Sequence, residues 1–312
     1  MRLLRRILFT VVILLVALFL TPSAQAVLAS RVFVAARSGN DANACNNVAT
    51  PCQTFAGAIT QVVAGGEIIA LESGGYGPLT INKAVTVNAP DGIIAFIHPP
   101  SGDAITIGAG ASDTVILRGL TLNGGAGNGI TVNTVGQLFV EHCTITGFVS
   151  DGISFSAAGG TLFMRDDDVR ECFFGVIVES TGTASRAVIR GSNFVENTTG
   201  VYAFSGSIVA VTDSVAVNNA DFGFAVSSAT HDADMVLDHV QAISNGTGLD
   251  VFGGGIPATL RFANSTVTQN ETGVSVTGVG ASAFGTSPGT NLIAGNTTTD
   301  IFPSLGTAIT LQ

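Results

Sequence analysis

The chain has 312 residues, enough for a large core in one or two domains, with 46% apolar and 11% charged residues. That balance excludes an intrinsically disordered chain. Twelve basic against 22 acidic residues leave no electrostatic footprint for DNA or RNA, so no nucleic-acid partner is expected. Thr, Val, Ile, Phe, Asn and 39 Gly dominate, which is β composition with many turns.

Residues 1–26 read as a secretory signal peptide. Arg2, Arg5 and Arg6 form a basic start, residues 7–20 form an apolar stretch, and "SAQA" at 23–26 offers a small-x-small cleavage site after Ala26. The apolar run is short for a membrane span, and an uncleaved anchor is the alternative. No later run is long enough to cross a bilayer, so no membrane span is expected in the mature protein. A secreted or periplasmic bacterial protein follows. Cleavage removes three of the 12 basic residues and none of the 22 acids, leaving nine against 22, or −13. Such a surface repels polyanions unless a cation mediates contact.

Residues 27–66 form an N-terminal segment with a capping helix. Export permits disulfides, and Cys45 and Cys52, close together in "NACNNVATPC", are the expected bridge. In 53–64, Phe55, Ala58, Ile59, Val62 and Val63 fall at helical spacing. Gly65-Gly66 then reads as a stop. Such a helix would plug one end of a core whose edges need covering.

From residue 67 to 312 the sequence repeats. "NGITV", "DGISF", "FGVIV", "TGVYA", "FGFAV", "TGLDV" and "TGVSV" place glycines at 129, 152, 175, 200, 223, 248 and 273, separated by 23, 23, 25, 23, 25 and 25 residues. A period of this length means stacked coils. Apolar residues alternate within each copy, as in Ile130 and Val132 or Ile153 and Phe155, which gives a strand with one buried face. A second strand recurs about ten residues later, from "VILRGLTL" at 115 to "LRFANSTV" at 260, and its tail begins a third. Coils of three short strands stack in register because a one-residue slip would invert every side chain.

Asn197, Asn245 and Asn270 each precede a strand glycine by three residues, and read as turn residues able to bond backbone or one another along the stack. The N-x-[ST] sequons at 197, 245, 264, 270 and 296 are therefore turn chemistry. Cys143 and Cys172 either pair across neighbouring repeats or stay as buried thiols. The C-terminal "TDIFPSLGTAITLQ" departs from the period and reads as an irregular cap.

Residues 51–90, "PCQTFAGAITQVVAGGEIIALESGGYGPLTINKAVTVNAP", resemble the entry segment of the pectate-lyase-like superfamily. The shared features are a C-x-T-F-x-x-A-I helix, a G-G-x-I strand, a G-x-Y turn and a following strand with Lys83. Together with the repeats, the resemblance covers about residue 31 to the end. It implies a single-stranded, all-β, right-handed parallel β-helix, a solenoid of 23–25 residues per coil with a short N-terminal helix. Many exported bacterial proteins with this entry segment have no assigned role.

Enzymes of that superfamily carry their chemistry on the outer face of one strand stack and the turn before it. Polygalacturonase-like members use an Asp before Gly, an Asp-Asp pair one coil on, then a His before Gly. The matching column here is Asn128, Asp151, Phe174, Thr199, Phe222, Thr247 and Thr272. Asp151 fits the first position, but Phe173-Phe174 fills the pair position and Thr199 the His position. One carboxylate without its partner cannot cleave a glycosidic bond, and a turn Asp bonding local backbone accounts for Asp151. The next outward column holds Thr131, Ser154, Ile177, Tyr202, Ala225, Asp250 and Ser275. Pectate-lyase-like calcium sites need several acids, and this column offers Asp250 alone. A hard cation wants about six oxygens, so no metal site and no cofactor is expected.

Two other constellations stand out. "RDDDVRE" at 165–171 is the densest charge cluster, on columns that stack Arg118, Glu141, Arg165 and Arg190 beside His142, Asp166, Asp213 and His239. It reads either as a metal or sugar-acid site of His142, Asp166 and Asp168, the candidate catalytic residues, or as opposite charges alternating on a solvated stack. Phe174 and Phe222, with Tyr202 on the coil between, would place rings roughly 10 Å apart by layer spacing. They suit a glycan, unless the phenylalanines merely cover the turn. Asp151, Phe174, Tyr202, Phe222 and Asp250 are thus the candidate ligand-binding residues. The leading expectation is an exported, non-catalytic protein binding polysaccharide or another cell-envelope component. A lyase, hydrolase or epimerase with a non-standard site is the alternative, and a structural or adhesive surface protein the third.

Overall fold

The structure is a computed structural model that describes residues 28–285, 290–303 and 308–311. The signal-peptide reading of residues 1–26 lies outside the described residues. The chain winds into an all-β parallel solenoid of about nine turns with one short helix. Each full turn contributes three strands, and strands of successive turns pair in parallel.

The first stack runs through Ile130–Thr134, Ile153–Phe155, Phe174–Val178, Thr199–Phe204 and Phe222–Ser228. It continues into the leading halves of the long strands Thr247–Ala263 and Thr272–Gly285. The second stack includes Gln137–Glu141, Thr161–Arg165, Ser185–Arg190 and Ser207–Thr212. The third includes Thr144–Phe148, Asp168–Arg170 and Asn193–Val195.

The register is the one the glycine repeat dictates. Ile130, Ile153, Val176, Val201, Phe224, Leu249 and Val274 stand on one another and are 0–1% exposed. Burying each contributes about 1.5–3 kcal/mol relative to exposure. The glycine before each inward residue is required by close approach. A Cβ at Gly129, Gly152, Gly175, Gly200, Gly223 or Gly248 would lie 2.5–2.8 Å from the carbonyl oxygen of the next coil's glycine.

Beside that glycine runs a ladder of buried amides. The Asn197 side chain donates to Asn219 Oδ1 at 3.2 Å, Asn219 to Asn245 at 2.8 Å, Asn245 to Asn270 at 3.0 Å and Asn270 to Asn296 at 3.0 Å. Asn296 donates to Asp300 Oδ1 at 2.8 Å. Each Oδ1 in the ladder also accepts the preceding rung's backbone N–H, including that of Cys172 on Asn197. The sequon nitrogens of Asn197, Asn245 and Asn270 are thus consumed inside the wall.

The helix α1 spans Phe55–Gln61 and is shorter than the apolar spacing over 53–64 suggests. Thr54 caps it by accepting the Gly57 N–H at 2.9 Å, and Asp41 in turn accepts the Gln53 and Thr54 N–H groups. Phe55 and Ala58 face the core, and Phe55 packs on Tyr76 with ring centroids 4.8 Å apart. Gly65-Gly66 does not end the helix. The backbone is already extended at Val62, and both glycines lie inside the strand Val62–Ala70. That strand pairs in parallel with Ala29–Val34, so stacking begins before α1 in the chain. The Cys45–Cys52 disulfide is present, whereas Cys143 and Cys172 are free and buried. Within the C-terminal stretch, Thr299–Pro303 and Ala308–Leu311 pair in parallel with Thr272–Gly285.

Candidate functional site

The charge cluster sits at the turn between the second and third stacks. One residue per coil there takes the left-handed conformation: Gly119, His142, Asp166, Gly191, Asp213, His239 and Asn264. Hydrogen bonds from the N–H of each of the first six to the next coil join them into a column. Gly, Asn, Asp and His are the residues that tolerate this geometry, so backbone conformation accounts for His142 and Asp166. Their side chains are exposed and pair with each other at 3.6 Å. Asp168 lies beyond the turn on the third stack and pairs with Arg170. Glu141 binds Arg118 at 2.6 Å and Arg165 at 2.8 Å, and Arg190 meets Asp213 at 3.2 Å. The arginines Arg118, Arg165, Arg170 and Arg190 thus each have a carboxylate neighbour, as in a solvated stack. Among the described residues no group of three or more His, Cys, Asp or Glu is placed to hold a metal ion.

The buried charged member of "RDDDVRE" is Asp167, which the charge pattern did not single out. Its carboxylate accepts the Cys143 N–H at 2.8 Å and the Arg165 N–H at 3.0 Å. Burial, with the nearby Asp166 and Glu141 adding to it, pushes its pKa up to about 8 against those hydrogen bonds. Ser192, Ser214 and Ser265 hold the same rung on later coils. That serine column is visible in "GSNF", "DSVAV" and "NSTV", and Asp167 is the charged residue among its members Cys143, Asp167, Ser192, Ser214, Val240 and Ser265.

The outward face of the first stack is different. The column Thr131, Ser154, Ile177, Tyr202, Ala225, Asp250 and Ser275 is in register as expected. On it the rings form a continuous strip. Phe173 and Phe174 have centroids 4.5 Å apart, Phe174 and Tyr202 5.1 Å, and Tyr202 and Phe204 5.6 Å. Phe174, Tyr202 and Phe222 line one hollow of about 200 Å³, together with Phe173, Thr198, Thr199 and Asp221. The structure therefore brings three of the expected ligand-binding residues together and adds two rings. Phe204 has the same strand parity as Tyr202 and was legible from period two. Phe173 lies in the turn, where no alternation marks it.

The remaining two expected residues flank this strip. Asp151 has a pKa of about 6, raised by burial and by Glu179, while the Phe174 backbone and the Ser154 hydroxyl hold it down. Asp250 is likewise raised to about 6 by burial, with Ser275 opposing. Tyr202 is raised by burial first, then by Asp250 and Glu179, with a hydrogen bond to Ser227 working the other way. The strip thus runs between two half-buried carboxyls, with Tyr202 sensing one of them directly.

Residues 96–239 and 128–298 match the model of a family described as a right handed beta helix region. Among solved structures the chain is similar to an alginate lyase from Paenibacillus sp. str. FPU-7, with 15% identity, a TM-score of 0.60, and 89% of this chain and 99% of that chain covered. It is also similar to the pectate lyase Pel9A, with 14% identity, a TM-score of 0.52, and coverage of 86% and 74%. At such identities the likeness is one of fold. No curated protein matches the sequence.

Proposed function

The chain belongs to the right-handed β-helix family, and from that premise we propose that it is an exported, non-catalytic protein that binds polysaccharide or another glycan-bearing component of the cell envelope. The observation that carries the reading is the strip Phe173–Phe174–Tyr202–Phe204, with Phe222 across the hollow. Aromatic rings offer broad apolar faces with polar edges. A chain of rings on an outer surface, rimmed by hydroxyls and carboxyls, is the composition expected of a recognition surface. The two similar structures are a lyase of alginate and a lyase of pectate by name, which supports a carbohydrate partner.

A catalytic reading would draw on Asp151 and Asp250, whose values near 6 suit acid–base work. The register argues against them as a pair. Four coil steps separate their strands, or roughly 19 Å by strand spacing. Carboxyls flanking a glycosidic bond stand about 5–9.5 Å apart.

The test is glycan-array binding of wild type and Tyr202→Ala, with circular dichroism to confirm the fold, alongside assays for unsaturated products and reducing ends. Binding lost in the variant without turnover in wild type is the expected result. Turnover abolished by Asp166→Ala or Asp250→Ala would replace the binding role with an enzymatic one.

A further inference from the structure

Resting on the platform reading, we propose that the ring-lined face of the first stack selects an uncharged glycan and excludes uronic-acid polymers. The proposal comes from the distribution of charge around the rings. Asp151, Glu179, Asp221 and Asp250 all border the strip or its hollow. The first-stack strands from Ile130 to Val279 contain no Lys or Arg, and neither does the hollow. The described arginines lie elsewhere, and six of the eight are ion-paired, Arg37 and Arg186 being the exceptions. Arg118 and Arg165 hold Glu141, Arg190 holds Asp213 and Arg261 holds Asp234, all on the second stack or its turn, while Arg170 holds Asp168 on the third.

A sugar ring lying on Tyr202 meets groups that suit hydroxyls. Carboxylates accept from O–H donors, and Ser154, Ser227 and Ser275 lie beside Asp151, Tyr202 and Asp250 to give or accept further bonds. A carboxylate on that sugar has no cation to meet and stands against Asp250 and Glu179, the two acids that already act on the Tyr202 hydroxyl. Like charges brought together at a binding face suppress the wrong partner. Each such contact is expected to weaken binding about fivefold or more.

The experiment is affinity electrophoresis of the full mature chain through gels containing mixed-linkage β-glucan, galactomannan or xylan, and through gels containing alginate or polygalacturonate. The acidic gels are run with calcium and with chelator. Retention by at least one neutral polymer, and by neither acidic one, is the expected pattern. Equal or stronger retention by alginate or polygalacturonate, in calcium or in chelator, would overturn the inference and leave the platform standing. No retention by any polymer would remove the platform and the inference with it. The double variant Glu179→Gln/Asp250→Asn, checked for fold by circular dichroism, makes the cause visible. Acidic polymers should gain at least about fivefold in retention, and an unchanged exclusion would overturn the electrostatic explanation.

Discussion

Two outer faces of one solenoid obey the same register and have opposite character. On the second stack and its turn, opposite charges lie close together and are neutralised locally, as in Arg118–Glu141–Arg165 and Arg190–Asp213. On the first stack, rings run together and the carboxyls Asp151 and Asp250 have no cationic partner, so burial raises both. The turns beneath them differ as well. The turn leading into the first stack is closed by an unbroken ladder from Asn197 to Asn296. The turn leaving the second is held by serines with one buried Asp among them. A charged surface that pairs with itself has little left for a ligand. The unpaired face is the one that remains available, even though "RDDDVRE" is the louder signal in the sequence.

The sharpest way to separate the two regions is pH, and the largest effect is expected from Asp167. Its folded-state value lies above the ordinary 3.8, at about 8. The native chain therefore keeps a proton that the unfolded chain releases, and stability present below about pH 4 is lost as pH rises to about 8. A rise of that size corresponds to a loss on the order of 6 kcal/mol. Asp151 and Asp250 add the same sign between about pH 4 and 6. Urea midpoints measured from pH 5 to 9 should fall with pH, and Asp167→Ser should flatten the slope above pH 6. A rising slope would contradict the burial of this carboxyl.

Breaking the ladder beneath the ring face comes next. Asn245→Ala strands the Asn219 N–H and the Ala216 carbonyl in the wall, at a cost of about 3 kcal/mol. Chemical denaturation checks it, and a loss below about 1 kcal/mol would show that water replaces the amide. Tyr202→Ala should then lower glycan affinity by about 10–100-fold, roughly 1.4–2.7 kcal/mol. Arg165→Ala on the other face should leave affinity unchanged by calorimetry. The smallest effect is Glu141→Gln, whose arginine partners are about half exposed. Because Glu141 itself is buried between them, it should cost about 1–2 kcal/mol in urea, and glycan binding should not move.

Much of this was legible because side-chain columns follow from one glycine repeat. Ile130, Ile153 and Val176 predict the core, and Tyr202 and Asp250 the same outward column, by counting alone. What escaped has specific causes. Asn219 belongs to the ladder but lies four residues before Gly223, not three, because one residue is inserted between them. Asp167 was hidden between two exposed acids, and only its hydrogen-bond rung distinguishes it. The end of α1 was misread because a Gly-Gly pair serves a strand as well as it stops a helix. Contact between Phe174 and Tyr202 depends on side-chain lean across coils, which layer spacing does not encode.

The chain has no Trp and two tyrosines, and Tyr76 is fully buried beside α1, out of reach of a surface ligand, so a ligand-induced change in tyrosine emission reports on Tyr202. Titrating a neutral oligosaccharide while following that emission tests the ring face most directly. A saturable change, absent in Tyr202→Phe although calorimetry still detects binding, is the expected result. Calorimetric binding that leaves tyrosine emission untouched would place the glycan on another surface and contradict the account.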